Sequence, residues 1–545
     1  MIYLNRRITA AVVSSLVFAG GADAGFQAIV MQGQSAPDTG GGTYGNLLSQ
    51  LSVDESGEVT FWSTLNGVPS GFDTAAFRSV DGVIQKIIQK GDEAPGLPGK
   101  TFRQTSALNY SASGALAINL RLDTTNEGVN FDNDWGLWAD TGSGLEQIAQ
   151  EGSVAPHTGG GLFEQPSDPI LSPGGDLAFI ARLKEVGDVN SENNSALWRK
   201  SKGGSLELLA REGMLSPGVD GGEFQFMNVP SINSSATTAF SASIRTVKGA
   251  PRGGIDSSND FGLWKAGSDG MMDLVLRAGD EAIGVEGFVF TGFSRPLINE
   301  SGELSIIAGM TDPNADARGF GETGVWSSSG GVFEKIATTQ DIAPGAGGVK
   351  YRSFLWSAFN DQGDVAFGAY IDDPVGARGT EPPEGHWKYS DGEIETIAVT
   401  GDTAPDTDGA NFESFTAPAM NNRGDIVFRA SLAIEGDVTF DTRSGIWAYV
   451  APGEGRGVGM LIKVARTGDE FEVAPGDIRV IDFVDVQGLD VEGFEPAPVL
   501  SDAGLLAIRL SFTDGTGGLF LFQVPAPGSG SLLIVAAMTA IRRRR

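Results

Sequence analysis

One eight-residue pattern recurs eight times along the chain and limits what it can fold into. It runs Asn/Asp/Ser-x-x-Gly-x-x-x-Phe/Ile, as Asp54-Gly57-Phe61, Ser111-Gly114-Ile118, Ser172-Gly175-Phe179 and Asn233-Ala236-Phe240 in the first half. The second half has Asn299-Gly302-Ile306, Asn360-Gly363-Phe367, Asn421-Gly424-Phe428 and Ser501-Gly504-Ile508. Successive fourth positions lie 57, 61, 61, 66, 61, 61 and 80 residues apart, a period that marks a repeat architecture. The pattern reads as a turn followed by a strand. A short polar side chain opens the turn by bonding its own backbone, and Gly three residues later supplies the positive-φ position of a bulged hairpin. Alternating residues follow, as in Asp425 to Leu432, with one face buried.

Each copy carries further strands. One holds an aromatic residue: Phe77, Trp138, Trp198, Trp264, Trp326, Trp387, Trp447 and Phe520, read as core wedges between neighbouring sheets. A tight turn such as Asp81-Gly82 or Asp391-Gly392 leads to a last strand, which ends near a Gly-Asp-x-Ala-Pro-like loop such as Gly91 to Pro95. Another short strand, as in Phe354 to Phe359, precedes each marker turn. Four strands per copy, a to d, make the blade of a β-propeller. Closure is written into the order of strands. The segment Phe26 to Gly33 matches a d strand, and the last copy stops at a c strand, Gly518 to Phe522. Pairing the two completes an eight-bladed ring and leaves no open edge. An open β-repeat array, or two smaller β domains, is the alternative.

Composition narrows function. Lys plus Arg is 38 against 69 Asp plus Glu, a net charge of -31, which opposes nucleic acid and favours cations or basic partners. With no Cys, disulfides, thiolate metal sites and Cys nucleophiles are excluded. His157 and His386 are the only histidines, and both read as surface-loop residues rather than catalysts.

The two ends read as addresses. Residues 1–24 have the order of a signal peptide: Arg6-Arg7, an apolar stretch from Ile8 to Gly20, and the small-x-small site Ala22-Asp23-Ala24. The domain reading is therefore a signal peptide at 1–24, a propeller at 25–523 and a sorting or anchor segment at 524–545. That last segment opens with Val524-Pro525-Ala526-Pro527, continues as the apolar run Leu532 to Ile541, and ends in Arg542, Arg543, Arg544 and Arg545. The run is shorter than the roughly 20 residues that span a bilayer, and the arginines would hold the tail on the cytoplasmic side. The tail resembles a PEP-CTERM sorting signal, although Ala526 stands where that motif carries Glu. The repeats resemble those of choice-of-anchor tandem-repeat exported proteins. The resemblance implies an exosortase-type processing enzyme, transient membrane contact through the tail, and a cell-surface or extracellular location. It supplies no catalytic residues.

Propeller connectivity puts the a–b and c–d turns on one face and the b–c and d–a loops on the other. The b–c loops are long, varied and acidic: Asp123 to Gly136 with Asp132 and Asp134, Lys184 to Ala196 with Asp188 and Glu192, Thr246 to Gly262 with Asp256 and Asp260. Thr311 to Gly324 holds Asp312 and Asp316, and Asp372 to His386 holds Asp372 and Asp373. Function concentrates on variable loops over a rigid scaffold, so this face is the expected site of binding to a polysaccharide, a protein or a cation. The oxygen-rich loops could take Ca²⁺, though none has EF-hand spacing, and charge reversal there is expected to spare the fold. A secreted enzyme using two carboxylates and a purely architectural spacer are the competing readings. The sequence singles out neither a catalytic residue nor a cofactor.

Overall fold

A computed structural model describes residues 25–47, 51–110, 114–140, 144–166, 169–248, 254–314, 321–372, 382–453, 459–486 and 499–526. The expected signal peptide, Pro527 and Arg542 to Arg545 lie outside them. The described chain is all β apart from two single 3-10 turns, and its strands form eight antiparallel sheets. Blade 6 is representative: strands a (Tyr351–Phe359), b (Val365–Ile371), c (Glu384–Ser390) and d (Glu393–Val399) pair in that order. Each of the eight gaps between neighbouring blades holds its own apolar cluster. The fold is therefore an eight-bladed β-propeller, as the repeat predicts.

The ring closes as the strand order predicts. The N-terminal strand (Phe26–Met31) runs antiparallel to strand c of the last blade (Gly517–Gln523), with Phe26 opposite Phe522 and Ala28 opposite Phe520. Behind the seam, Val30, Leu519 and Leu521 of blade 8 share a cluster with Tyr44, Phe61 and Phe77 of blade 1.

The marker and the aromatic strand are two halves of one device. In every blade the eighth marker residue lies directly across from the c-strand aromatic, from Phe61 opposite Phe77 to Ile508 opposite Phe520. All six c-strand tryptophans are fully buried. A second ring meets each c-strand aromatic at close to a right angle or steeply tilted. It comes from strand a in seven blades, as in Phe102 on Trp138 and Tyr351 on Trp387, with centroids 5.0 and 4.9 Å apart. Such edge-to-face pairs contribute about 0.5–1.5 kcal/mol each beyond the area they bury.

Blade 8 departs from the pattern. Its d–a connection forms a regular hairpin, Glu470–Ala474 with Asp477–Asp485, which adds a fifth strand. The Gly468 N–H donates to Ile481 O just as Gly91 donates to Phe102 O, so Ile481 holds the place of the strand-a aromatic. Phe471, from the added strand, supplies the ring instead and lies 5.0 Å from Phe520 at 73°.

Candidate functional site

The short-turn face is built for cohesion. In the blade 6 marker, Gly363 has φ +84, and Asn360 Oδ1 accepts from the N–H groups of Gln362 (3.1 Å) and Asp364 (2.9 Å). That much is the expected turn chemistry. The remaining Asn360 donor does something the pattern alone does not reveal: Nδ2 donates to Asn421 O of the next blade, 3.2 Å away. Asn233 reaches Asn299 O, Asn299 reaches Asn360 O, and Asn421 reaches Ser501 O in the same way. The second marker residue adds a parallel belt. Glu300, Asp361, Asn422 and Asp502 each accept the corresponding backbone N–H of the preceding blade. Glu55 accepts from Asp502 N–H (3.0 Å) and Ala503 N–H (3.2 Å), carrying the belt across the closure seam. Burial pushes the Glu55 carboxyl above its ordinary pKa, and the Asp502 charge adds to this against the pull of those two N–H donors.

On the long-loop face the Asn and Asp side chains that open and close the b–c turns serve the loops themselves. In blade 2, Asn130 Oδ1 accepts from Asp132 N–H, Asn133 Oδ1 from Asn130 N–H, and Asn133 Nδ2 donates to Gly128 O. The same turn recurs at Asn190 to Asn193 and at Asp256 to Asn259. A side chain from the end of strand d then clamps each turn from below: Gln150 to Asn133 O, Arg211 to Asn193 O, and Arg277 to Asn259 O.

Asp132 and Asp134, two residues apart in the expected site, have opposite surroundings. The Asp132 side chain is 91% exposed, and Asp134 is 0% exposed between Arg103 (3.3 Å) and Arg121 (3.1 Å). The expectation that reversing either charge spares the fold is therefore corrected for Asp134. Asp256 is occupied by Ser258, whose hydroxyl and N–H hold its carboxyl below the usual carboxylate range. Among the described residues no three carboxylate or imidazole groups converge as a metal site would require. Asp316 and Asp373 lie outside those residues.

The histidines part company too. His157 sits exposed at a left-handed turn position with φ +64. His386 is not a loop residue. It occupies strand c of blade 6, 1% exposed, against the rings of Phe415 and Phe428. Its Nε2 is 2.9 Å from Thr416 O, and burial pulls its pKa down to about 4. The other blades place Ala76, Leu137, Leu197, Leu263, Val325, Ile446 and Leu519 at the equivalent position, immediately before the c-strand aromatic. His386 thus fills an apolar slot.

Sequence reasoning missed two exposed aromatics on this face. Phe131 and Phe440 are 70% and 71% exposed. Both are second residues of equivalent b–c turns, Asn130-Phe131-Asp132-Asn133 and Thr439-Phe440-Asp441-Thr442, and the shared x-Phe-Asp-x spelling was their available signal. An arginine backs each ring: Arg443 lies 4.7 Å from the Phe440 centroid, and Arg103 lies 6.0 Å from that of Phe131.

At the seam, on the short-turn side, a cleft of about 230 Å³ has Ile84, Leu505 and Leu521 in its lining, with Glu58 and Asp81. It falls below the roughly 300 Å³ at which small-molecule pockets begin. Of the expected sorting residues, Val524 is fully buried in the blade 7–8 core, Pro525 is half-buried and Ala526 is exposed.

A family model matches the chain over residues 8–213 and 53–531, overlapping matches of the kind a tandem repeat produces. The chain belongs to DUF7453, a family of unknown function. No curated protein matches this DUF7453 chain. Among solved structures, it is similar to the β-propeller domain of the Trilobed protease from Pyrococcus furiosus, at 10% identity, 78% of this chain, 95% of that one and TM-score 0.36. It is also similar to the polysaccharide lyase Uly1, at 13% identity, 76% and 94% coverage and TM-score 0.36. The Pyrococcus horikoshii acylaminoacyl peptidase aligns at 13% identity, 87% and 58% coverage and TM-score 0.38. Likenesses of this size carry nothing about activity.

Proposed function

We propose that this DUF7453 protein is a non-enzymatic, surface-associated binding or matrix scaffold that takes its ligand on the long-loop face. The observation that carries this reading is the contrast between the faces. Marker side chains on the short-turn face are committed to inter-blade hydrogen bonds. The long-loop face instead presents two phenyl rings to solvent from loops already fixed by their own hydrogen bonds. Binding residues concentrate on loops held by a rigid scaffold, and these two rings are presented in that way. A flat ring backed by a cation suits the apolar face of a sugar ring, so a polysaccharide is the ligand class favoured among polysaccharide, protein and cation.

A glycan array probed with the full chain tests this reading. Array binding is expected, with affinity falling at least tenfold in Phe131→Ala/Phe440→Ala and holding in Asn360→Ala, which loses stability alone. Array-wide silence, unchanged affinity in the double variant, or turnover of a bound polysaccharide would each overturn it.

A further inference from the structure

Resting on the surface-associated reading above, the geometry points to the short-turn face as the membrane-proximal face of the ring, held there by the C-terminal tail, with the long-loop face directed away from the bilayer. Both ends of the described chain leave the ring at one point. The Gln523 N–H donates to Gly25 O at 2.9 Å, and Phe26 lies opposite Phe522. The next residue, Val524, donates its N–H to Gly504 O at 2.8 Å, and Gly504 belongs to the marker turn of blade 8. The exit is therefore on the short-turn face. Val524 is fully buried, so the departure point is fixed to the core.

Beyond that point the sequence changes character. Residues 527–545 hold no Asp or Glu, and their apolar run from Leu532 to Ile541 is followed by four arginines, in a chain whose net charge is -31. An apolar stretch with a basic cluster partitions to an anionic lipid surface, the arginines drawn by the lipid charge and the apolar side chains by the acyl boundary. The occupant of this face is accordingly a bilayer reached through the tail. The acidic belt residues Glu55, Glu300, Asp361 and Asp502 would keep the ring itself standing off an anionic surface.

Tether length fixes the orientation. Five residues, Pro527 to Ser531, separate Ala526 from Leu532, six Cα–Cα steps that reach at most about 21 Å when fully extended. A strand of seven residues, such as Val365–Ile371, already spans about 20 Å in six such steps, and the b–c loops stand beyond it. A tether about as long as a strand cannot reach past the b–c loops to bring the opposite face to the lipid. A ligand-binding face so placed looks outward.

The chain has no Cys, which makes single-cysteine labelling clean. In the chain from Gly25 to Arg545, without the expected signal peptide, Ser301→Cys (marker turn, short-turn face) and Ser191→Cys (b–c loop of blade 3) both substitute exposed serines. Each is labelled with a donor dye and mixed with phosphatidylcholine–phosphatidylglycerol vesicles carrying a headgroup acceptor. Energy transfer is expected to be severalfold greater from position 301 than from 191, and lost from both on removal of residues 527–545. Equal or reversed transfer would overturn the orientation. Failure of the full chain to co-sediment with the vesicles would overturn the membrane contact itself. Neither outcome depends on glycan binding, which the array scores separately.

Discussion

The indole N–H of Trp138 donates to the carbonyl of Pro95, 3.0 Å away, across the gap between strand c of blade 2 and the loop that enters that blade. Trp198, Trp264 and Trp387 make the same bond to Pro156, Pro217 and Pro344, and Trp326 makes it to Ile283, which stands in the proline's place. The Gly-Asp-x-Ala-Pro loop and the c-strand tryptophan, some forty residues apart, are thus one contact. In blade 7 the Trp447 indole N–H finds no such partner.

That difference is measurable. Trp138→Phe and Trp447→Phe remove similar volume from equally buried sites, but only the first breaks a hydrogen bond and strands a carbonyl. Leaving a buried polar group unpaired costs about 1–3 kcal/mol. Urea unfolding should therefore show Trp138→Phe as the more destabilised variant by about that amount. Equal losses would mean the indole–carbonyl bond contributes nothing net.

The closure seam predicts the effect of a truncation. Deleting Phe26 to Met31 removes the outer strand of blade 8 and exposes the Gly517–Gln523 edge together with part of the cluster around Val30. An unpaired apolar edge invites strand addition from another copy. The deletion variant should melt at lower temperature and elute as higher-order species in size-exclusion chromatography with light scattering. A monomer with unchanged melting would show that the seam does not hold the ring.

The sequence disclosed the architecture because its signals are local or repeated. Gly363 and its counterparts mark turns, and the unpaired segment at Phe26 points to a partner strand at the far end of the chain. The belts were illegible because Asn360 reads as a turn former whether or not its Nδ2 reaches Asn421 O. The same limit hid Asp134. Two acidic loop positions with one residue between them look alike in sequence, and only the approach of Arg103 and Arg121 separates them. Phe471 was missed because it fills a core position from outside the repeat's own register. His386 was misread because a lone histidine ordinarily marks a surface or a site, whereas its neighbours in the fold make it core.

His386 gives the acid side of the stability profile a sign. Its folded pKa is about 4 against an ordinary 6.5, because burial disfavours the charged ring. The unfolded chain takes up its proton below pH 6.5 and the folded chain resists until about pH 4, so stability is lost progressively as pH falls through that window. The full linkage is about 3 kcal/mol at 1.36 kcal/mol per pH unit. His386→Leu, which restores the residue type of the other blades, should flatten the fall in melting temperature between pH 6.5 and 4. A variant that tracks the parent across this range would assign the acid sensitivity elsewhere.

Asp132 and Asp134 provide the sharpest comparison on the long-loop face. Asp132→Asn alters a side chain that is 91% exposed, with Lys184 at 3.9 Å, and exposed substitutions of this kind change stability by about 0.5 kcal/mol or less. Asp134→Asn removes the one carboxylate among the described residues that pairs with both Arg103 Nη2 and Arg121 Nη2. Those guanidinium groups, 35% and 25% exposed, would be left side by side without the carboxylate between them. Breaking a fully buried pair costs about 3–5 kcal/mol, and the partial exposure of the arginines lowers the expectation to about 2 kcal/mol. The loss should shrink in Arg103→Gln/Asp134→Asn, where one uncompensated cation is gone. Denaturant titration of the three variants decides the matter. If Asp132→Asn and Asp134→Asn prove equally mild, the ion cluster does not support blade 2.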